Sequence, residues 1–198
     1  MKVKDFSEEK ITRYKLKFIL FPLFLVASLL LTTFISAAQI EFIKGSSGFD
    51  RGETLVAKVS GNFLEPITRE NILFYRDHTH IPVVYEISKI NDDFYIYASL
   101  VGKEPGNYSL SLENIKYMKG TQESEDNLVE SFVIGDNLSD FSIVPGFVST
   151  SEDFSLEVQN LNENQITVNI VNFGKFISPS SVVVKSGEVK IINFLLCF

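Results

Sequence analysis

Four groups of residues in this 198-residue chain have the type and spacing to do chemistry. His78 and His80, the only histidines, stand two apart in His78-Thr79-His80. Alternate residues of an extended chain share a face, so the pair is a candidate metal site that still needs a third and usually a fourth ligand. Asp77 would point to the other face, and a solvent-exposed turn is the competing reading. The acidic clusters Asp92-Asp93, Glu123/Glu125/Asp126 and Asp136/Asp140 offer oxygens to Ca²⁺. None has the Asp-x-Asp-x-Asp-Gly spacing of a calcium loop, and a solvated acidic surface is the plainer expectation. Asn107-Tyr108-Ser109 and Asn137-Leu138-Ser139 are glycosylation sequons, both expected in turns, and an exported chain would offer them to the modifying machinery. Tyr95 and Tyr97 alternate with Phe94 and Ile96, which places the two phenols on an outer sheet face. Such a face suits contact with a surface protein or a glycan, and it also suits plain strand propensity.

The remaining chemistry is thin. No Gly-x-Ser-x-Gly, His-Glu-x-x-His, phosphate loop or dinucleotide fingerprint occurs. The expectation is a non-enzyme without a cofactor. A single cysteine, Cys197, makes no disulfide framework within the chain. With 18 Lys+Arg against 25 Asp+Glu the net charge is −7, which argues against nucleic acid as a partner. The 18 Phe and 7 Tyr argue against disorder.

Charge is unevenly distributed. Residues 1–17 form a basic leader, expected in the cytoplasm, with six cations (Lys2, Lys4, Lys10, Arg13, Lys15, Lys17) against three acids. Its net +3 leaves −10 on the remainder of a chain whose total is −7. Residues 18–38, FILFPLFLVASLLLTTFISAA, carry no charge over 21 positions, which meets the roughly 20 residues needed to cross a bilayer as a helix. A basic flank before an apolar run keeps the N-terminus inside and sends residues 39–198 outward. Two readings stand. The length of the run and of the leader favours an uncleaved single-pass signal anchor. Ser36-Ala37-Ala38 would instead permit cleavage of a signal peptide before Gln39 and secretion.

Beyond residue 39 the apolar period changes to two, the mark of half-buried strands. Strands are expected at 53–60, 71–76, 82–90, 94–100, 108–112 and 130–134. Turn signals separate them at Gly45-Ser-Ser-Gly48, Asn91-Asp-Asp93 and Glu104-Pro-Gly-Asn107. Lys119–Asn127 (KGTQESEDN) reads as a long hairpin loop or an excursion at the sheet edge. The fold class is therefore all-β: a first antiparallel β-sandwich over 39–135, a linker at 136–140, and a second sandwich over 141–198. The second is expected to run through strands at 141–144, 154–158, 166–171, 182–185 and 188–194. It ends on the apolar tail Leu195-Leu-Cys-Phe198, which makes an incomplete second domain an expectation.

The segment DFSLEVQNLNENQITVNI and the later FISPSSVVVKSGEVKIINF resemble immunoglobulin-like modules found in tandem on archaeal and bacterial extracellular surface proteins. For residues 40–134 the likeness rests on strand count and on Gly106-Asn-Tyr-Ser-Leu110. The resemblance implies a binding or structural module and brings no catalytic residues. The expected role is a surface protein displaying such modules for adhesion, envelope structure or partner binding. The alternative is an accessory binding module of a larger exported enzyme that continues past residue 198.

Overall fold

The computed structural model describes residues 38–171 and 176–196. Nine strands build its N-terminal part: β1 (Gln39–Phe42), β2 (Gly48–Arg51), β3 (Thr54–Ser60), β4 (Ile72–Arg76), β5 (Thr79–His80), β6 (Val84–Ile90), β7 (Asp93–Ser99), β8 (Gly106–Lys119) and β9 (Gln122–Leu138). One sheet has the order β1-β3-β7-β6 and the other β2-β9-β8-β4-β5. All pairings are antiparallel except β2 with β9. That parallel pair follows from a change of sheet: after β1 has paired with β3, the chain turns at Gly45 (φ 71°) and delivers β2 to the far edge of the opposite sheet.

Alternation drives the two sheets together. Leu55, Ala57 and Val59 on β3, Phe94, Ile96 and Ala98 on β7, Phe74 on β4, Leu110 and Leu112 on β8, and Phe132 and Ile134 on β9 are all buried in one core. An aromatic trio spans the gap: Phe42 from one sheet meets Phe49 and Phe132 from the other, edge to face at 5.5–5.7 Å. Tyr108 stacks on Phe132 with centroids 5.5 Å apart. Its hydroxyl donates a 2.6 Å hydrogen bond to the Glu104 carbonyl, pinning the turn before β8 to the strand that follows it.

Six further strands follow: β10 (Phe141–Val144), β11 (Phe154–Asn160), β12 (Ile166–Asn169), β13 (Phe176–Ile177), β14 (Ser181–Val184) and β15 (Val189–Leu196). They form a sheet β10-β11-β15-β13 and a pair β12-β14. Their core is separate and smaller, with Val158, Val184, Ile192 and Phe194 buried. Phe154 stacks face to face on Phe194 at 4.6 Å and meets Phe176 edge-on at 5.1 Å. Asn160, buried among them, donates through Nδ2 to the carbonyls of Asn164 (2.8 Å) and Val184 (2.9 Å) and accepts from the Asn162 N–H (2.8 Å). It thereby closes the β11–β12 turn against β14.

The structure corrects several expectations. Of the two readings of Lys119–Asn127 the loop fails and the excursion fits: β8 and β9 pair up to Lys119↔Gln122, past the end of β4, and turn at Gly120-Thr121. The polar run is the exposed arm of a long hairpin, with Ile115 and Tyr117 buried on its inner side. The linker expected at 136–140 contracts to Ser139-Asp140, because β2 holds β9 in ladder pairing as far as Arg51↔Leu138. Among the described residues the only helix is a 3-10 turn at Arg69–Asn71, and none is long and apolar enough to cross a membrane. The span expected at residues 18–38 lies, but for Ala38, outside the described residues, as do the leader and Cys197.

Candidate functional site

The tyrosine pair sits where alternation puts it, on the outer surface of the β1-β3-β7-β6 sheet, but that surface is not open. Tyr97 is 5 % exposed, and Tyr95 is half-buried. Phe147, from the segment after β10, lies edge-on against both rings at 5.7 Å. The expected binding face of Tyr95 and Tyr97 is thus covered by the protein's own chain. Burial comes first in raising the Tyr97 phenol above its ordinary range, and the neighbouring Glu86 carboxylate adds to it.

Around this contact the junction is tightly built. The Thr54 hydroxyl at the start of β3 donates to the Ile143 carbonyl on β10 at 2.8 Å. Gly146 passes so close that a methyl group there would lie 2.7 Å from Thr54 Cγ2 and 2.8 Å from Tyr97 Cβ. A methyl group at Gly52 would meet Leu161 Cδ1, the end of a side chain that can turn aside. The Ser139 N–H donates to the Arg51 carbonyl at 2.9 Å, and the Leu161 N–H donates to the Asp140 carbonyl at 2.9 Å. Asn162 Nδ2 adds a 3.0 Å bond to the Asp140 carboxylate. Sequence reasoning missed Thr54, Gly146 and Phe147. Their partners lie far along the chain, and no periodic signal marks a loop glycine followed by phenylalanine.

The other candidates are scattered. His78 and His80 are both exposed near β5, and His80 packs edge-on against Tyr75 at 5.9 Å. Among the described residues no three His, Cys, Asp or Glu side chains are grouped to hold a metal. Asp93 is paired with Lys58 at 2.9 Å. That hydrogen bond first, then one from Ser60, holds the Asp93 carboxyl below its ordinary range and raises the Lys58 ammonium. Asp126 is lowered likewise by bonds from Ser124 and Tyr117. Carboxylates held as anions suit ion pairing and not general-acid work at neutral pH. Asp136 is exposed at the end of β9. A shallow hollow of about 760 Å³ opens beside Asp92 and Asp93, with Phe63, Leu64 and Lys89 on its walls.

Both sequons lie in strands and not in the turns expected for them. Asn107 is the second residue of β8, opposite Val133, and Asn137 is the penultimate residue of β9. Both side chains are exposed. The ladder pairing of β8 with β9 and β9 with β2 extends past the Gly-Asn and Asp-Asn signals that suggested turns.

No family model matches the sequence, and no curated protein matches it. Among solved structures it is similar to the crystal structure of the I9–I11 tandem from titin, at 9% identity and a TM-score of 0.24. That match covers 80% of this chain, which spans 57% of the titin chain.

Proposed function

We propose that this is a non-catalytic, exported protein, anchored by residues 18–38, that projects two immunoglobulin-type modules as one stiff unit for adhesion, envelope structure or partner binding. The observation that carries the reading is the junction. Two residues separate β9 from β10, and Phe147, Gly146 and the Thr54 hydroxyl lock the second module's entry segment onto the first module's sheet. A flexible tether between independent domains would be longer and richer in Gly, Pro and polar residues. A stiff unit suits a spacer that holds its two ends at a fixed separation.

The immunoglobulin reading is supported by strand order and by position. The sheets β1-β3-β7-β6 and β2-β9-β8-β4-β5 follow the pattern of four strands against a face built on the third, penultimate and last major strands. Tyr108, with its bond back to Glu104, occupies the place of the tyrosine corner. Leu110, two residues on, stands where the second cysteine of antibody domains lies, and Phe74 on β4 stands where their tryptophan lies. The chain has no Trp and no second Cys, and the Phe42, Phe49 and Phe132 cluster joins the two sheets.

The test is protease shaving of intact cells followed by intact-mass measurement of the membrane fraction. The expected outcome is release of peptides from 39–198 from unbroken cells, with a full-length mass beginning at Met1. Protection of those peptides until lysis overturns export, and a mass beginning at Gln39 overturns the anchor.

A further inference from the structure

We infer that Asn107 carries an N-linked glycan seated on the outer face of the β9-β8-β4 sheet; the inference rests on the proposed export of residues 39–198. Because the sequon lies in a strand, Asn107 and Ser109 point to the same face while Tyr108 points into the core. Asn107 is exposed, and among the described residues nothing hydrogen-bonds its carboxamide or takes the Ser109 hydroxyl. The second sequon differs. Its Ser139 hydroxyl is committed to the Phe141 carbonyl at 2.9 Å, within the connection between the modules.

The surface beside Asn107 is shaped to hold a sugar. A hollow of about 460 Å³ opens there, walled by Ser47, His78, Ser131 and Val133. The cross-strand neighbours are small, with Ser109 opposite Ser131, and Val133, directly opposite Asn107, is 47 % exposed. The apolar side of a pyranose ring covers such a valine, and the serine hydroxyls and the imidazole hydrogen-bond its hydroxyls. In the transfer step Asn107 Nδ2 attacks the anomeric carbon of a lipid-diphosphate-linked oligosaccharide. A C–N bond forms, the C–O bond to the diphosphate breaks, the amide nitrogen loses one proton, and the lipid diphosphate leaves with the electron pair. A membrane transferase supplies the donor and the catalysis.

The test is peptide mass spectrometry on the full chain recovered from the membranes of the producing cells, beside the shaving experiment on the same cells. Trypsin isolates Asn107 in Glu104–Lys116 and Asn137 in Gly120–Lys175. The expected result is a glycan mass on Glu104–Lys116 that is lost in Asn107→Gln and Ser109→Ala and kept in Ser109→Thr, with all three variants folded by circular dichroism because, among the described residues, these side chains hold no hydrogen bond. An unmodified Glu104–Lys116 from chains that shaving shows outside overturns the inference and leaves export standing. A glycan confined to Gly120–Lys175 overturns the assignment to Asn107. Chains protected from shaving overturn export, and the glycan falls with it.

Discussion

Replacing Phe147 by Ala tests the junction directly. The ring meets Tyr95 and Tyr97 edge-on, each at 5.7 Å. Such aromatic pairs contribute about 0.5–1.5 kcal/mol apiece beyond area burial, so the two together contribute roughly 1–3 kcal/mol. Phe147 is half-buried, which adds about half of the ~1.5–3 kcal/mol of a fully buried side chain, or roughly 1 kcal/mol. Docking is thus weakened by roughly 2–4 kcal/mol, about a 30- to 1000-fold shift toward undocked modules. The Thr54–Ile143 and Ser139–Arg51 bonds and the Leu161 contact at Gly52 remain, each bond contributing only about 1 kcal/mol. Phe147 is absent from both hydrophobic cores, so the substitution leaves the packing inside each of them in place. Two measurements read the change. Small-angle X-ray scattering should show a broader distribution of intramolecular distances. Ultraviolet titration of phenolates should show Tyr97 ionising at lower pH, since burial is the first cause of its raised value and undocking removes it. An unchanged scattering curve together with an unchanged phenolate titration would refute the reasoning that Phe147 holds the modules together.

Two further substitutions probe each module separately. Tyr108→Phe keeps the stack on Phe132 and deletes only the bond to Glu104. The cost is about 1 kcal/mol, or roughly 4–8 °C in the melting midpoint of a unit of about 100 residues; a calorimetric midpoint equal to the parent's would show that the corner contributes nothing. Asn160→Ala leaves the Val184 carbonyl and the Asn162 N–H without their partner. At about 1–3 kcal/mol for each buried unsatisfied group, hydrogen exchange should accelerate in β11, β12 and β14 and not in β3 or β7, and uniform acceleration would contradict the separation of the two cores.

Much of the fold is legible because alternation is a local signal. Leu55, Ala57 and Val59 announce β3 without any knowledge of their partners, and Phe94 and Ile96 do the same for β7. The signal fails where its physical basis fails. β1, β2 and β5 hold four, four and two residues, too few to establish a period, and Gly and Ser flank the second. The arm of β8 and β9 extends well past its readable parts at 108–112 and 130–134. From Gln122 to Asn127, β9 has solvent on nearly all its side chains, so no apolar alternation remains to be read, and ladder hydrogen bonds alone define the strand. The sequons suffered the same error, since Gly, Asn and Asp favour turns locally but are held in the ladder by β2 and β9.

The candidate site shows a deeper limit. Alternation correctly sends Tyr95 and Tyr97 away from the first core, yet a period of two tells only that a side chain leaves one face, not what meets it there. What meets it is Phe147, and a hydrogen bond beside that contact joins Thr54 to Ile143 across 89 positions of sequence. Such a contact has no periodic signature, because it depends on where two sheets far apart in the sequence end. The tightness at Gly146, where a single methyl group would collide with Thr54 and Tyr97, is likewise invisible in a residue whose usual reading is a turn. An exposed aromatic pair predicted from one module's pattern is therefore better read, in a multi-module chain, as the seat of the next module before it is read as the seat of a ligand. By the same reasoning the face that stays open among the described residues is the opposite one, the small-residue surface around Ser109 and Ser131, and it is that face on which Asn107 stands.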